Sequence, residues 1–353
     1  MKSATLSTSP STPSKRSTSW AWLLGLAITI ACLWWAVRGV HWDEFAAALA
    51  TVNVPLLLLV VVVATLPFPL RVIRWRIMLR TDTGAPVAWG ALWNAVAIGF
   101  MANNLLPARA GEFARAYVVK RQAPVRFITA LATIGVERLF DGILMLGLMA
   151  VAIAAPSFPG HGTQQGALVS RVAGGAAVAF VGLLVVAFIV AVHPAPWLKL
   201  LDRLTQSLLP ARIAAPVNHL AHGMIEGLGV LKSPSRFALV LGWSLVQWLV
   251  NAASFALCFK AFGLSVPPEG SLLLQGILGF GVAIPSSPGF AGVFEKATQF
   301  TLLLYSVDSS RALAYALAYH ATTFVPITLL GLHALSRARL HLTDLRAAPG
   351  ESV

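Results

Sequence analysis

Asn103-Asn104-Leu105-Leu106-Pro107-Ala108-Arg109-Ala110-Gly111-Glu112-Phe113 and Pro285-Ser286-Ser287-Pro288-Gly289-Phe290-Ala291-Gly292-Val293-Phe294-Glu295 interrupt two otherwise apolar runs, 89–119 and 271–305. Proline removes a helix hydrogen bond and clashes with the preceding turn. In lipid the freed carbonyls need partners, so broken backbone persists only inside protein or beside a water-filled cavity. Each run therefore reads as a re-entrant helical hairpin, with a kinked span as the alternative. Both contain P-x-x-A-G-x-F, and each has a Gly-Phe pair upstream, Gly99-Phe100 and Gly279-Phe280. The echo predicts an inverted repeat whose broken helices meet near the bilayer midplane. Chance similarity between two Gly/Ala-rich stretches is the other reading.

Outward from these breaks the chain is apolar almost throughout. Of its 353 residues 57% are hydrophobic and 11% charged, and its mean hydropathy is +0.77. That composition excludes a soluble globular enzyme, a disordered chain and a fibrous repeat, because water demands a more charged surface. Further apolar runs at Trp20–Val37, Val54–Leu79, Phe127–Ala155, Leu168–His193, Ala238–Phe262 and Ala312–Leu335 are each long enough for one crossing. The expected fold is an all-α polytopic membrane protein with about six full spans and two hairpins. The first run is too long for a signal peptide and no small-residue cleavage site follows it, so it reads as an uncleaved span.

The net charge of +13 would suggest nucleic acid in a soluble protein; here it marks cytoplasmic loops and anionic lipid surfaces, and no nucleic-acid partner is expected. With both termini cytoplasmic, most Lys and Arg fall on the cytoplasmic side, and the opposite loop Pro156–Gly166 carries no charge. Residues 1–19 read as a disordered basic tail, 20–340 as the membrane domain, 194–236 within it as cytoplasmic amphipathic helices, and 341–353 as a second tail. Cys32 and Cys258 each sit in an apolar run and read as packing residues rather than a disulfide or metal site.

Charged groups inside such runs cost at least about 2.5–3.5 kcal/mol if they face lipid. Glu137, Arg138 and Asp141 must therefore face the interior. Glu137 and Asp141 share a helix face, and Arg138 can pair with Asp141. The cluster is either a structural ion pair or a headgroup site or proton relay. The half-helices after each break would aim their positive N-termini inward, where an anion such as a lipid phosphate is favoured, and Arg109 sits at the first of them. Glu112 could neutralise Arg109 or Arg115. Arg71, Arg76 and Arg80 read as snorkelling to headgroups, with Arg74 able to turn inward. His320 is open between a hydrogen-bonded packing residue and a proton carrier. Gln247, Asn251 and Gln275 read as interhelical hydrogen bonds. No P-loop, dinucleotide fingerprint, H-E-x-x-H or C-x-x-C is present, so no cofactor or metal is expected.

R-x-x-R-W-x-x-M-L (Arg71–Leu79), N-N-L-L-P-A-R-A-G-E-F-x-R (Asn103–Arg115), E-R-x-x-D (Glu137–Asp141) and P-S-S-P-G-x-x-G-x-x-E (Pro285–Glu295) together resemble the lysylphosphatidylglycerol synthase transmembrane family, also called the flippase-like or UPF0104 family. The resemblance covers about residues 20–340. It implies a flippase region moving aminoacylated lipid across the bacterial cytoplasmic membrane through a cavity between two hairpins. Because the chain ends at Val353, the family's aminoacyltransferase activity is not carried over, and no enzyme is expected. Stand-alone relatives are associated with hopanoid or lipid-linked glycan assembly, which leaves the lipid open and admits lipid-biosynthesis enzymes as partners. The expected function is a lipid translocase; an integral-membrane transferase and a scaffold are the alternatives. Arg74, Asn103, Asn104, Arg109, Glu112, Arg115, Glu137, Arg138, Asp141, Ser286, Ser287, Glu295 and His320 are assigned to substrate binding or translocation. Pro107, Gly111, Pro285, Pro288, Gly289 and Gly292 are assigned to the helix breaks.

Overall fold

The computed structural model describes residues 16–106, 110–208, 227–283 and 288–342, with isolated positions between 210 and 225 and Leu345. The described residues are helical, with no named strand. In chain order the bounded helices are α1 (Arg16–Val37), α2 (Trp42–Ala50), α3 (Val54–Thr65), α4 (Pro67–Met78), α5 (Trp89–Leu105), α6 (Gly111–Gln122), α7 (Phe127–Ala154), α8 (Gln164–Val192), α9 (Pro194–Leu208), α10 (Pro234–Ala261), α11 (Pro268–Ala283), α12 (Val293–Leu304) and α13 (Ser309–Arg337).

Among the described residues, four stretches are long and apolar enough to cross a membrane: Val54–Met78, Gln164–Val192, Pro234–Ala261 and Ser309–Arg337. The first is not one rod, because Pro67 ends α3 and α4 begins anew. Helix α7 is of similar length, 28 residues, but carries Glu137, Arg138 and Asp141. Side-chain caps fix several starts: Asn53 accepts from Leu56 N–H at α3, Thr163 from Gly166 N–H at α8, and Asp308 from Arg311 N–H at α13. Each satisfies a donor that the first helical turn leaves without a partner.

Both broken runs fold back on themselves. Asn94 near the start of α5 donates to Gln122 at the end of α6 at 3.1 Å. At the other end of this pair a Cβ on Gly111 would lie 1.9 Å from the Gly99 carbonyl oxygen. Only glycine permits that approach. In the second run a Cβ on Gly281 in α11 would lie 3.2 Å from Ala297 in α12, and one on Gly270 would lie 3.2 Å from the Tyr305 ring. The turn residues Pro107 and Arg109, and Pro285, Ser286 and Ser287, lie outside the described residues. In the second break Pro288–Phe290 is a single 3-10 turn, Gly292 has φ +81°, and the returning helix α12 begins at Val293.

Each hairpin sits in its own hydrophobic core. The first joins α4, α5, α6 and the start of α7 to the end of α13, around Val72, Trp75, Leu92, Ile98 and Leu335. The second joins the end of α10, α11 and α12 to the start of α13, around Phe255, Phe259, Leu274, Leu302 and Tyr315. Helix α13 therefore runs through both. The breaks themselves meet beside its centre. A Cβ on Gly289 would lie 3.5 Å from the Asn104 carbonyl oxygen and 2.6 Å from the Phe324 ring. Asn104 Nδ2 in turn donates to Thr328 Oγ1 at 2.9 Å and to the Phe324 carbonyl at 3.3 Å.

An arginine cluster beside the first hairpin

Glu137 and Asp141 lie about 15–20 Å along α7 from its start, at 1.5 Å per residue, and both are buried. Four guanidinium groups converge on them. Arg115 of α6 grips Glu137 with both terminal nitrogens at 2.9 Å and stacks 3.8 Å over the Trp75 ring. Trp75 is itself held by a 2.9 Å hydrogen bond to Thr133. Arg74 of α4 reaches Asp141 at 2.5 Å, Glu137 at 2.9 Å and Ser244 Oγ at 2.8 Å. Arg138 donates to Glu137 at 2.8 Å and lies 3.5 Å from Asp141. Trp248 Nε1 of α10 completes the shell of Asp141 at 2.9 Å. Planar bidentate pairs of this kind are the strongest that arginine forms, and they fix orientation as well as charge.

The fourth arginine is different. Arg71 is 9% exposed, yet its nearest carboxylate oxygens are 3.7 Å (Glu137) and 4.0 Å (Asp141) away. Its Nη1 makes no hydrogen bond among the described residues. It lies between the Phe100 and Trp248 rings, 4.7 and 5.8 Å from their centroids. The snorkelling expected of Arg71 is therefore corrected: α4 restarts at Pro67 and turns Arg71 and Arg74 to the interior. Arg76 binds the Val87 carbonyl at 3.1 Å. Glu112 does not neutralise Arg115; it faces Arg138 Nε at 3.8 Å, and both of those side chains are about one-third exposed. Four arginines thus face two buried carboxylates and one accessible one.

The remaining site residues serve the breaks. Asn103 Oδ1 caps Gly111 N–H at 2.9 Å. Glu295 Oε2 caps Gly292 N–H at 2.6 Å, while its Oε1 meets His320 Nδ1 at 2.6 Å. Asn251 and Gln275 form the expected interhelical hydrogen bond at 3.1 Å; Gln247 does not, and both its amide atoms are buried without a partner. The sequence reading missed Arg71, Ser244 and Trp248. Only the R-x-x-R spacing, which places Arg71 and Arg74 on one helix face, signalled the first.

The family profile described as the lysylphosphatidylglycerol synthase TM region matches residues 22–331. The chain belongs to this family. It is a multi-pass membrane protein by that membership and by its apolar helices. The glycosyltransferase AglD of Haloferax volcanii is 28% identical over 323 residues, covering 84% of this chain and 51% of that protein. The chain thus spans about half the length of that relative. The UPF0104 membrane protein MJ1078 of Methanocaldococcus jannaschii is 23% identical over 229 residues, covering 65% of this chain and 90% of that protein. The expectation that no enzyme would be found is corrected by the first of these, a relative named for a transferase activity. The absence of a known catalytic motif was too weak a ground for it, because a membrane transferase need not carry a soluble-enzyme signature.

Proposed function

We propose that this protein binds the anionic headgroup of a membrane lipid at the arginine cluster and passes it along the junction of the two hairpins. The carrying observation is Arg71: a buried guanidinium with a free donor, flanked by two aromatic rings, in a cluster where cations outnumber acids. A buried guanidinium held only by carboxylates 3.7 and 4.0 Å away is stabilised further when a closer counter-ion arrives. A phosphate, two of whose oxygens match the guanidinium N–H fork, is the natural one. Arg71 and the accessible Arg138 offer the site; Arg109, two residues before Gly111 in the sequence, would add to it. Arg74 and Arg115 hold the frame.

In this reading the hairpins re-enter the membrane from opposite faces as an inverted repeat, 20–340 form one membrane domain, and 194–236 lie on the cytoplasmic face with both termini. The membrane is the bacterial cytoplasmic one. The similarity to a relative named a glycosyltransferase supports a lipid that carries or receives a sugar, such as a polyprenyl-linked or hopanoid-type lipid, with biosynthetic enzymes as partners.

The same relative favours a second reading, transfer to a lipid-linked substrate within the membrane. Glu137 and Asp141 are poor bases there, because arginines occupy them. Glu112, accessible and loosely held, is the carboxylate available for acid–base work. Reconstituted liposomes carrying fluorescent lipids separate the readings: lipid moved unchanged supports the first, lipid chemically altered supports the second, and neither outcome would leave a scaffold. For the site itself, native mass spectrometry of co-purified lipid should show loss in Arg71→Gln, with Arg38→Ala as a surface control. Equal retention in the two variants would remove the phosphate site.

A further inference from the structure

Away from the arginine cluster, the second break holds a carboxylate–imidazole pair that the lipid reading does not use. Glu295 is buried, at 2% exposure. One of its oxygens caps Gly292 N–H and the other meets His320 Nδ1, each at 2.6 Å. The His320 ring stacks on Phe294 at 4.4 Å and meets the edge of Phe324 at 5.9 Å. With Nδ1 held by the carboxylate, Nε2 is the nitrogen left to exchange a proton. It makes no hydrogen bond among the described residues, and the side chain is 16% exposed. Phe324 is also the residue against which Gly289 packs and whose carbonyl receives Asn104. The imidazole therefore stands where the two breaks meet.

We propose that Glu295 and His320 form a proton-binding site whose charge decides whether an anionic headgroup can occupy this junction. The proposal rests on the lipid-binding reading for the identity of the anion. With His320 neutral, Nδ1–H donates to the Glu295 carboxylate and the pair carries one negative charge, which repels a phosphate. A proton taken from water at Nε2 makes the pair neutral while the Nδ1 hydrogen bond stays. The anion is then admitted beside the N-terminus of α12. Loss of that proton restores the negative charge and expels the anion. Proton and lipid are bound together and released together, which is linkage in both directions.

No other charge in the described surroundings competes for this role. On α12, Lys296 turns away to the Trp35 ring, 4.3 Å from its centroid, and to Gln299. On α1, Cys32 lies against Gly292. On α13, Tyr319 is tied to Ser254 at 2.6 Å. Helices α3 and α5 carry no ionisable residue. On α11 the ionisable residue is Glu269 in the first turn; on α2 they are Asp43 and Glu44, at the His41–Ser310 end of α13; and on α10 they are Arg236 and Lys260, near its ends, and the buried thiol of Cys258, packed with Tyr315 and Tyr319.

The test is a histidine titration by nuclear magnetic resonance on the full chain. The protein carries labelled imidazole nitrogens and sits in nanodiscs of phosphatidylcholine, with or without phosphatidic acid. Loss of one signal in His320→Gln assigns the residue. The His320 nitrogen signals should move with pH. Glu295→Gln should lower its midpoint by about one unit, a tenfold loss of proton affinity. Phosphatidic acid should raise the His320 midpoint beyond the rise at exposed His41, which lies 3.7 Å from Glu44 in every condition and responds to the lipid through the surface potential. No titration, indifference to Glu295→Gln, or a rise equal to that of His41 would each overturn the proposal. Arg71→Gln separates the two readings. If it keeps its lipid while His320 still responds to phosphatidic acid, the arginine site fails and the proton site stands.

Discussion

At the start of the first returning helix, Gly111 N–H is capped by the neutral amide of Asn103; at the start of the second, Gly292 N–H is capped by the carboxylate of Glu295. The backbone problem is the same in both hairpins, a helix N-terminus left bare by a break. The first hairpin keeps its ionic groups one helix away, where Arg74, Arg115 and Arg138 lock onto Glu137. The second has a single acid, shared with His320. The turn geometry therefore does not dictate the electrostatics. One half of the molecule holds fixed charge in excess, and the other holds a charge that a proton can cancel.

The largest expected effect tests the fixed half. Glu137→Gln takes the tight carboxylate from Arg115 and leaves Asp141 as the one buried acid for Arg71, Arg74 and Arg138, a change that typically costs about 3–5 kcal/mol. Little folded protein should be recovered, and what survives should unfold at a much lower temperature in detergent. Glu295→Gln keeps an oxygen for Gly292 N–H and should cost about 1 kcal/mol, the scale of one hydrogen bond. If the order were reversed, the second hairpin would be the structural one and the contrast would collapse.

Smaller changes test the hairpins as objects. Gly111→Ala would place a methyl 1.9 Å from the Gly99 carbonyl, a backbone atom with no rotamer by which to retreat. The hairpin should open, at about 1–3 kcal/mol, with faster hydrogen exchange along both α5 and α6. Gly292→Ala meets positive φ and the Thr29 carbonyl at 2.7 Å, costing about 1–2 kcal/mol from conformation alone; exchange should rise in α12 and leave α6 unchanged. Arg71→Gln should leave thermal stability within about 1 kcal/mol of wild type, since Arg71 makes no tight pair, while lipid retention falls about tenfold. Arg74→Gln should do the opposite and unfold the protein, because Asp141 and Glu137 both depend on it.

Much of this contrast was legible from spacing. Glu137 and Asp141, four apart in an apolar run, could only share an inward face, and the prolines of both breaks fall just past the ends of α5 and α11. The inward turn of Arg71 was not legible, because depth was counted along one continuous span. The restart at Pro67 resets that count. Nor could the sequence pair Glu295 with His320, which lie 25 residues apart on different helices. Local periodicity carries no signal for a contact made by packing. The contact of Glu112 was not legible for the same reason: Arg115 is its sequence neighbour, but among the described residues the guanidinium it faces is that of Arg138 on α7.

Glu112 gives the smallest and most discriminating change. Its contact with Arg138 is long, 3.8 Å, and both side chains are about one-third exposed, so solvent screens it and the pair contributes about 0–1 kcal/mol. Glu112→Gln should leave folding unaltered. It should also leave the cluster one charge more positive, so an anionic lipid should be retained about two- to fivefold better, the equivalent of about 0.4–1 kcal/mol. Release into the opposite leaflet should slow by a similar factor, because a more tightly held ligand leaves more slowly. If Glu112 instead serves as the acid or base of a membrane transferase, the same substitution should abolish chemical turnover, by about a hundredfold or more, without tightening lipid binding. A slight gain in retention with slowed release therefore supports translocation, and a collapse of turnover with unchanged retention supports transfer. The side chain of Gln is nearly the same size as that of Glu, so packing contributes to neither outcome.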